Sequence, residues 1–101
     1  MLAEDRRGPI KKYIIEREVP SIGGPERPQM CGVAAKSNDV LRKLSPHIQW
    51  IESFVADNKT FCVYLAEDES FIHKHAELSG FPANKITEIK QIIDPTTASQ
   101  C

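Results

Sequence analysis

The order of strand-like and helix-like segments is the feature that most constrains the fold of this 101-residue chain. Four segments are rich in β-branched and aromatic residues and are predicted strands: residues 12–19, 48–55, 60–66 and 86–93. Apolar residues recur at helical spacing after the prolines at 25 and 28, which predicts a helix ending at Leu44. A second helix is expected to follow Asp68 and to end before Gly80. The predicted order is therefore βαββαβ.

This order has one economical packing. Asp57 and Asn58 lie between the second and third strands and suit the tight turn of a hairpin. Right-handed crossovers through the two helices then give a four-stranded antiparallel sheet of order 4-1-3-2, with both helices on one face. The fold class is the α+β, ferredoxin-like sandwich. We assign residues 11–95 to this domain, residues 1–10 to a flexible leader and residues 96–101 to a flexible tail.

Charge and hydropathy exclude several classes of partner. The chain has 13 basic and 14 acidic residues, which argues against nucleic-acid binding through broad electrostatic attraction. Residues 59–66 (KTFCVYLA) lack both glycines of the third-strand motif of RNA-recognition domains, so no nucleic-acid partner is expected. No apolar run approaches the roughly 18 residues of a membrane span, and residues 1–8 hold no hydrophobic stretch typical of a signal peptide. A cytoplasmic protein without a membrane partner is the expectation.

Strand alternation divides the sheet residues into two sets. We expect the more apolar set on the helix-covered face: Tyr13, Ile15, Ile51, Val55, Phe61, Val63, Leu65, Ile89 and Ile93. The set expected on the open face is mixed: Ile14, Glu16, Glu18, Trp50, Glu52, Phe54, Cys62, Tyr64, Ile86, Glu88 and Lys90. Aromatic residues on an uncovered sheet favour a partner surface. We therefore expect two copies to pack sheet to sheet as a homodimer of the α+β-barrel type.

His75 is the histidine in the least ordinary place, because the helical spacing puts it on the inward side of the second helix with Ile72. It is either a neutral core histidine bonded to a backbone carbonyl, or a ligand for nickel, zinc or copper together with a carboxylate from the sheet. His73 falls beside Glu69 on the solvent side and is expected to be a surface residue.

Two strand residues have both a structural and a functional interpretation. Glu16 lies in a β-rich run, where a carboxylate needs exposure or a partner such as Arg17 or Lys90. Cys62 is either a soft-metal ligand or a small buried apolar residue. No Ser-His-Asp order and no glycine-rich phosphate loop is visible, so we assign no catalytic residue.

Five pieces of the chain carry a recognisable pattern: residues 16–20 (EREVP), 50–55 (WIESFV) and 57–64 (DNKTFCVY), His75 with Ala76, and residues 80–89 (GFPANKITEI). Together they resemble the motifs of a small bacterial ferredoxin-like family, formerly of unknown function, that includes a nickel-binding protein. The resemblance implies a dimeric α+β sandwich with nickel as its cofactor. Carried over by position, it implies five candidate metal-site residues: His75, Glu16, Glu88, Cys62 and Tyr64.

Two functions from different classes follow. The first is a non-enzymatic homodimer that binds nickel or a similar divalent metal, at a site that weakens when His75 is protonated below about pH 6.5. The alternative is a small-molecule enzyme of the dimeric α+β-barrel type, similar to a monooxygenase or isomerase. Its pocket would lie on the mixed sheet face among Trp50, Phe54 and Tyr64, with Glu16 or His75 as the base.

Overall fold

A computed structural model describes residues 9–100 of the chain. Most of the predicted leader, residues 1–8, and the last residue of the predicted tail lie outside the described residues. The elements are β1 (Lys11–Glu18), α1 (Arg27–Leu44), β2 (Ile48–Val55), β3 (Lys59–Ala66), α2 (Glu69–Ser79) and β4 (Lys85–Ile89). A short 3-10 helix, Pro95–Gln100, occupies most of the predicted tail.

The four strands form one antiparallel sheet of order β2-β3-β1-β4, which confirms the predicted topology. Both helices pack on one face of this sheet. The buried core between the layers consists of Tyr13, Ile15, Val40, Leu44, Ile48, Cys62, Tyr64, Ala66 and Ile72. The predicted ferredoxin-like α+β sandwich is therefore the fold.

The signals at the helix ends act as expected. A proline occupies the first turn of α1, where its missing N–H leaves no helical acceptor unpaired. The Asp68 carboxylate accepts a hydrogen bond from the Ser70 N–H over 2.7 Å and caps α2. Gly80 ends α2 in the left-handed region at φ 77°, which glycine adopts without a Cβ clash.

The fourth strand is shorter than predicted, because it ends at Ile89 and not at residue 93. Ile89 pairs with Lys12, and β1 begins only one residue earlier, so β1 offers almost no further backbone for pairing. Ile92 and Ile93 are accordingly 71% and 73% exposed. Alternation of polarity continued past the point at which the neighbouring strand ends.

The predicted faces are correct for β1 and wrong for β3. Tyr13 and Ile15 are buried under the helices, and they pair with Tyr64 and Cys62, which are buried on the same face. Phe61, Val63 and Leu65, predicted to be helix-covered, therefore lie on the open face. Residues 61–66 are all apolar, so alternation carries no information about which set points inward.

The prediction for β2 is correct for Glu52 and Val55 but wrong for Trp50, and the prediction for β4 is wrong. Trp50 pairs with Tyr64 and Glu52 pairs with Val63, so Ile51 is an extra residue that reverses the phase of β2 and leaves Trp50 on the helix-covered face. In β4, Ile86 pairs with Ile15 and Glu88 with Tyr13, which turns both toward the helix side. Ile89, one residue on, takes the open face. Phe54 stays on the open face as predicted and is 55% exposed.

Candidate functional site: a cavity between α1 and the sheet

A partly enclosed concavity lies under the N-terminal half of α1. The buried residues of α1 are Ser37, Val40 and Leu44, all in its C-terminal half, so the first half of the helix stands off the sheet. The resulting cavity has a volume of about 250 Å³ and a mainly apolar lining. Its lining residues are Arg17, Val19, Ile22, Arg27, Met30, Val33, Ala34, Ser37, Trp50, Ser53, Val55, Thr60, Cys62, Tyr64 and Phe81.

The base of the cavity is polar. Arg17, Ser37, Thr60 and Tyr64 are buried there, whereas Arg27 and Val33 are exposed and mark the side that faces solvent. Behind Ser37 lies His75, which is 1% exposed. An apolar cavity with a few convergent polar groups is the usual form of a small-molecule site.

Arg17 is the charged residue at the bottom of the cavity and is only 3% exposed. Its Nη1 donates to the carbonyl oxygen of Pro82 over 2.7 Å and, more weakly, to that of Phe81 over 3.4 Å. Its Nη2 donates to the Tyr64 hydroxyl over 3.5 Å. Arg17 forms no ion pair with any carboxylate in residues 9–100. The guanidinium therefore enters the interior without a counter-charge from the described chain.

His75 is confirmed as an inward residue of α2, but its partner is a side chain and not a backbone carbonyl. Its Nε2 lies 3.0 Å from the Ser37 hydroxyl on α1, and its Nδ1 is buried without a hydrogen-bond partner. Burial, reinforced by the positive charge of Arg17, lowers the pKa of His75 to about 4. The imidazole is therefore neutral at physiological pH.

Tyr64 connects the arginine to this histidine pair. Burial raises the pKa of its phenol, while the charge of Arg17 and a hydrogen bond with Ser37 act in the opposite direction. The ring of Tyr64 lies 5.3 Å from that of His75, centroid to centroid. Tyr64 is thus a protonated hydroxyl held between a cation and a neutral imidazole.

The loop after β1 closes one end of the cavity with Ile22. Three hydrogen bonds attach this loop to the β2–β3 turn: Val19 N to Asn58 O (3.0 Å), Ser21 N to Asn58 Oδ1 (2.8 Å) and Gly23 N to Asp57 O (3.0 Å). A Cβ at Gly23 would lie 2.7 Å from the Ala56 carbonyl oxygen, so only glycine allows this close approach. The loop is therefore part of the cavity wall.

The five predicted metal-site residues are not brought together. Glu16 lies on the open face and pairs with Lys59 over 3.3 Å, a cross-strand partner that the sequence prediction did not name. Glu88 is at the sheet edge, where a hydrogen bond from Lys90 over 2.7 Å lowers the pKa of its carboxyl. His75, Cys62 and Tyr64 are on the helix-covered side.

Within the described residues of one chain, these donors are not arranged to hold a nickel ion. Cys62 is buried and donates to the Thr60 hydroxyl over 3.6 Å, as expected for the structural interpretation. Within residues 9–100, no group of three or more His, Cys, Asp or Glu side chains is placed to hold a metal ion. Of the five predicted ligands, His75 offers a buried, unpaired imidazole nitrogen, but the described residues supply no complete nickel ligand set around it.

The other two histidines are surface or partly exposed residues. His73 is 63% exposed and lies 3.9 Å from Glu69, as predicted. His47 lies with its Nδ1 2.6 Å from the Glu67 carboxylate and stacks on Phe71 at 4.8 Å. Neither histidine lines the cavity.

Arg17 and Ser37 are the site residues that the sequence prediction did not assign. Arg17 follows Tyr13 and Ile15 in the same alternation, so it is a charged residue in the buried phase of β1. Ser37 lies in the apolar stripe of α1 with Val40 and Leu44. A charged or hydroxyl residue in an otherwise buried phase is the signal that was available for both.

Comparison with known proteins identifies the family. The sequence profile of the nickel responsive protein SCO4226-like family matches residues 13–89, more than half of the chain. The chain belongs to this family. The crystal structure of SCO4226 from Streptomyces coelicolor A3(2) superposes with a TM-score of 0.67 at 12% identity, covering 81% of this chain and 99% of that one. This likeness confirms the fold of the SCO4226-like chain, and the resemblance predicted from its motifs is correct.

Two further comparisons bear on the predictions. No curated protein matches this SCO4226-like sequence. Neither helix in the described part of the chain combines the length and apolarity needed to cross a bilayer.

Proposed function

We propose that this SCO4226-like protein binds a small organic molecule in the cavity between α1 and the sheet. The observation that carries the proposal is the cavity itself, which combines about 250 Å³ of mainly apolar space with a buried polar base. Ligand sites are typically concave, apolar and equipped with a few fixed polar groups. The cavity is slightly smaller than the ~300–1,000 Å³ of typical ligand pockets, so we expect a compact molecule.

The polar residues at the bottom of the cavity support binding and not catalysis. Ser37 and His75 are within the distance of a nucleophile and its general base. However, a pKa of about 4 makes His75 a weak base at neutral pH, and its unpaired Nδ1 has no group that orients the ring. We therefore assign the Ser37–His75 pair to positioning Tyr64 and the cavity wall.

The test uses a substitution on α1 that fills the cavity with a larger side chain. Trp50 is the single tryptophan and lines the cavity, so its emission should report on binding of octan-1-ol and octanoate. We expect saturable changes for the wild type and their loss in Ala34→Phe, because Ala34 is a half-buried lining residue. Ala35→Phe, on the exposed side of the same helix, should behave as the wild type. Equal binding by Ala34→Phe, or no binding by the wild type, contradicts the proposal.

Nickel binding is a second candidate, favoured by the family description and by the unpaired Nδ1 of His75. It ranks second because both predicted carboxylate ligands are engaged elsewhere, Glu16 with Lys59 and Glu88 with Lys90. Titration calorimetry of tag-free protein with Ni²⁺, Co²⁺ and Zn²⁺ tests it. Saturable Ni²⁺ binding that is lost in His75→Gln and retained in His73→Gln supports this candidate. Heats equal to those of buffer contradict it.

We also propose that two copies associate through the open sheet face. Ile14, Val63 and Leu65 lie at the centre of that face without a covering helix, and Phe54 is 55% exposed beside them. Sedimentation analysis should give a dimer that Val63→Lys dissociates. Ile92→Lys, at a 71% exposed apolar residue beyond the sheet, should not alter the dimer. A monomeric wild type contradicts this proposal.

A further inference from the structure

The unbalanced charge of Arg17 indicates what the cavity binds. An isolated charge is costly to bury unless it is paired or fully hydrogen-bonded, and Arg17 is 3% exposed. Two backbone carbonyls and the Tyr64 hydroxyl are its acceptors. These are neutral groups, so the positive charge is solvated by dipoles but is not neutralised within the described chain.

Arg17 retains donors beyond those bonds. A guanidinium carries five N–H donors, and the contacts to Phe81, Pro82 and Tyr64 use three. The contacts to Phe81 and Tyr64 are at 3.4 and 3.5 Å, near the long limit for a hydrogen bond. An acceptor inside the cavity can therefore take the free donors, and the planar fork of arginine matches a carboxylate in particular.

The charged residues around the cavity also favour a negatively charged ligand. Its described lining contains two arginines, Arg17 at the base and Arg27 at the exposed side, and no acidic residue. The protonated Tyr64 hydroxyl and the Ser37 hydroxyl add two uncharged hydrogen-bonding groups at the base. The walls between these groups are apolar, with Met30, Val33 and Trp50 among them.

From this arrangement we infer that the ligand is a small organic acid, with its carboxylate on Arg17 and an apolar body along α1. The inference rests on the proposed function and specifies the chemical class of the molecule bound in the same cavity. A cavity of about 250 Å³ suits an acid with a short alkyl or single-ring body.

The experiment compares three probes of one shape in the full chain: octanoate, octan-1-ol and octylamine. Binding is followed by calorimetry and by the emission of Trp50. Octanoate should bind at least 10-fold more tightly than octan-1-ol, and octylamine should bind least. Arg17→Met should weaken octanoate binding by about 10- to 100-fold and leave octan-1-ol nearly unchanged. Arg42→Met, which removes one exposed charge outside the cavity, should change neither affinity.

The outcomes separate this inference from the proposed function. If octan-1-ol binds as tightly as octanoate, or Arg17→Met keeps full octanoate affinity, the acid class is wrong but the cavity is still a binding site. If none of the probes binds the wild type, both are wrong. Should Arg17→Met fail to fold, the ratio of octanoate to octan-1-ol affinity in the wild type still decides the inference.

Discussion

The hydroxyl of Ser37 on α1 lies 3.0 Å from Nε2 of His75 on α2, and this contact joins the two helices directly behind the cavity. Both residues are buried, and the second ring nitrogen of His75 has no partner. The pair therefore couples the packing of the helices to the protonation of one imidazole.

Acidification should destabilise the fold through His75. Its folded-state pKa of about 4 lies below the unfolded value of 6.5, so the unfolded chain binds more protons between these pH values. The free energy of unfolding should accordingly fall as pH drops from 6.5 to 4, by roughly 3 kcal/mol in total. Urea unfolding at pH 7.5 and pH 4.5 measures this. His75→Gln should reduce the difference in the free energy of unfolding between the two pH values, and His73→Gln should keep it. Equal differences for the two variants would contradict the assignment to His75.

Removing the hydroxyl of Ser37 should lower the free energy of unfolding by more than the loss of one small polar group suggests. Ser37→Ala leaves both ring nitrogens of His75 buried without a partner, an effect worth about 1–3 kcal/mol. Chemical denaturation at pH 7.5 checks the loss. Asn38→Ala, at the next and exposed position of α1, is the matched control and should change stability by less than about 0.5 kcal/mol.

Glycine-to-alanine substitutions at two positions should have opposite effects on stability. Gly23→Ala puts a Cβ 2.7 Å from the Ala56 carbonyl oxygen, and backbone must move, so we expect a loss of about 1–3 kcal/mol. Gly32→Ala meets nothing within 4 Å and lies inside α1, so helix propensity should raise stability by about 0.5–1 kcal/mol. Thermal unfolding of both variants gives the comparison. A stabilised Gly23→Ala protein contradicts the close approach.

The same loop should affect the cavity. Gly23 holds the segment that carries Ile22 against the β2–β3 turn, so displacement of this loop opens one wall. We therefore expect Gly23→Ala to weaken octanoate binding several-fold under conditions in which the variant is fully folded. Gly32→Ala should bind as the wild type does. Unchanged binding in Gly23→Ala would show that the loop does not contribute to the site.

Topology was predictable from the sequence because each element has a local signal. The prolines near 25–28, the Asp68 cap and Gly80 mark helix ends, and the strand-rich segments between them leave one reasonable arrangement. Which face of the sheet each strand residue occupies was harder to predict. Residues 61–66 are apolar on both sides, and the extra residue Ile51 reverses the phase of β2.

The candidate site depended on those faces. Motif resemblance selected Tyr64, which does line the cavity, but it joined Tyr64 to Glu16, which lies across the sheet. The phase of β1 and the apolar stripe of α1 place Arg17 and Ser37 on the buried side, but neither phase indicates what those side chains contact. Only the packing of α1 against the sheet makes their contacts with Tyr64 and His75 visible.

Amide chemical-shift mapping with octanoate would show whether the cavity under α1 is a ligand site. We expect saturable shifts that concentrate on the cavity lining, at Arg17, Ala34, Ser37 and Tyr64. Shifts confined to the open sheet face around Glu16 and Val63, or no saturable shifts at all, would contradict the proposal.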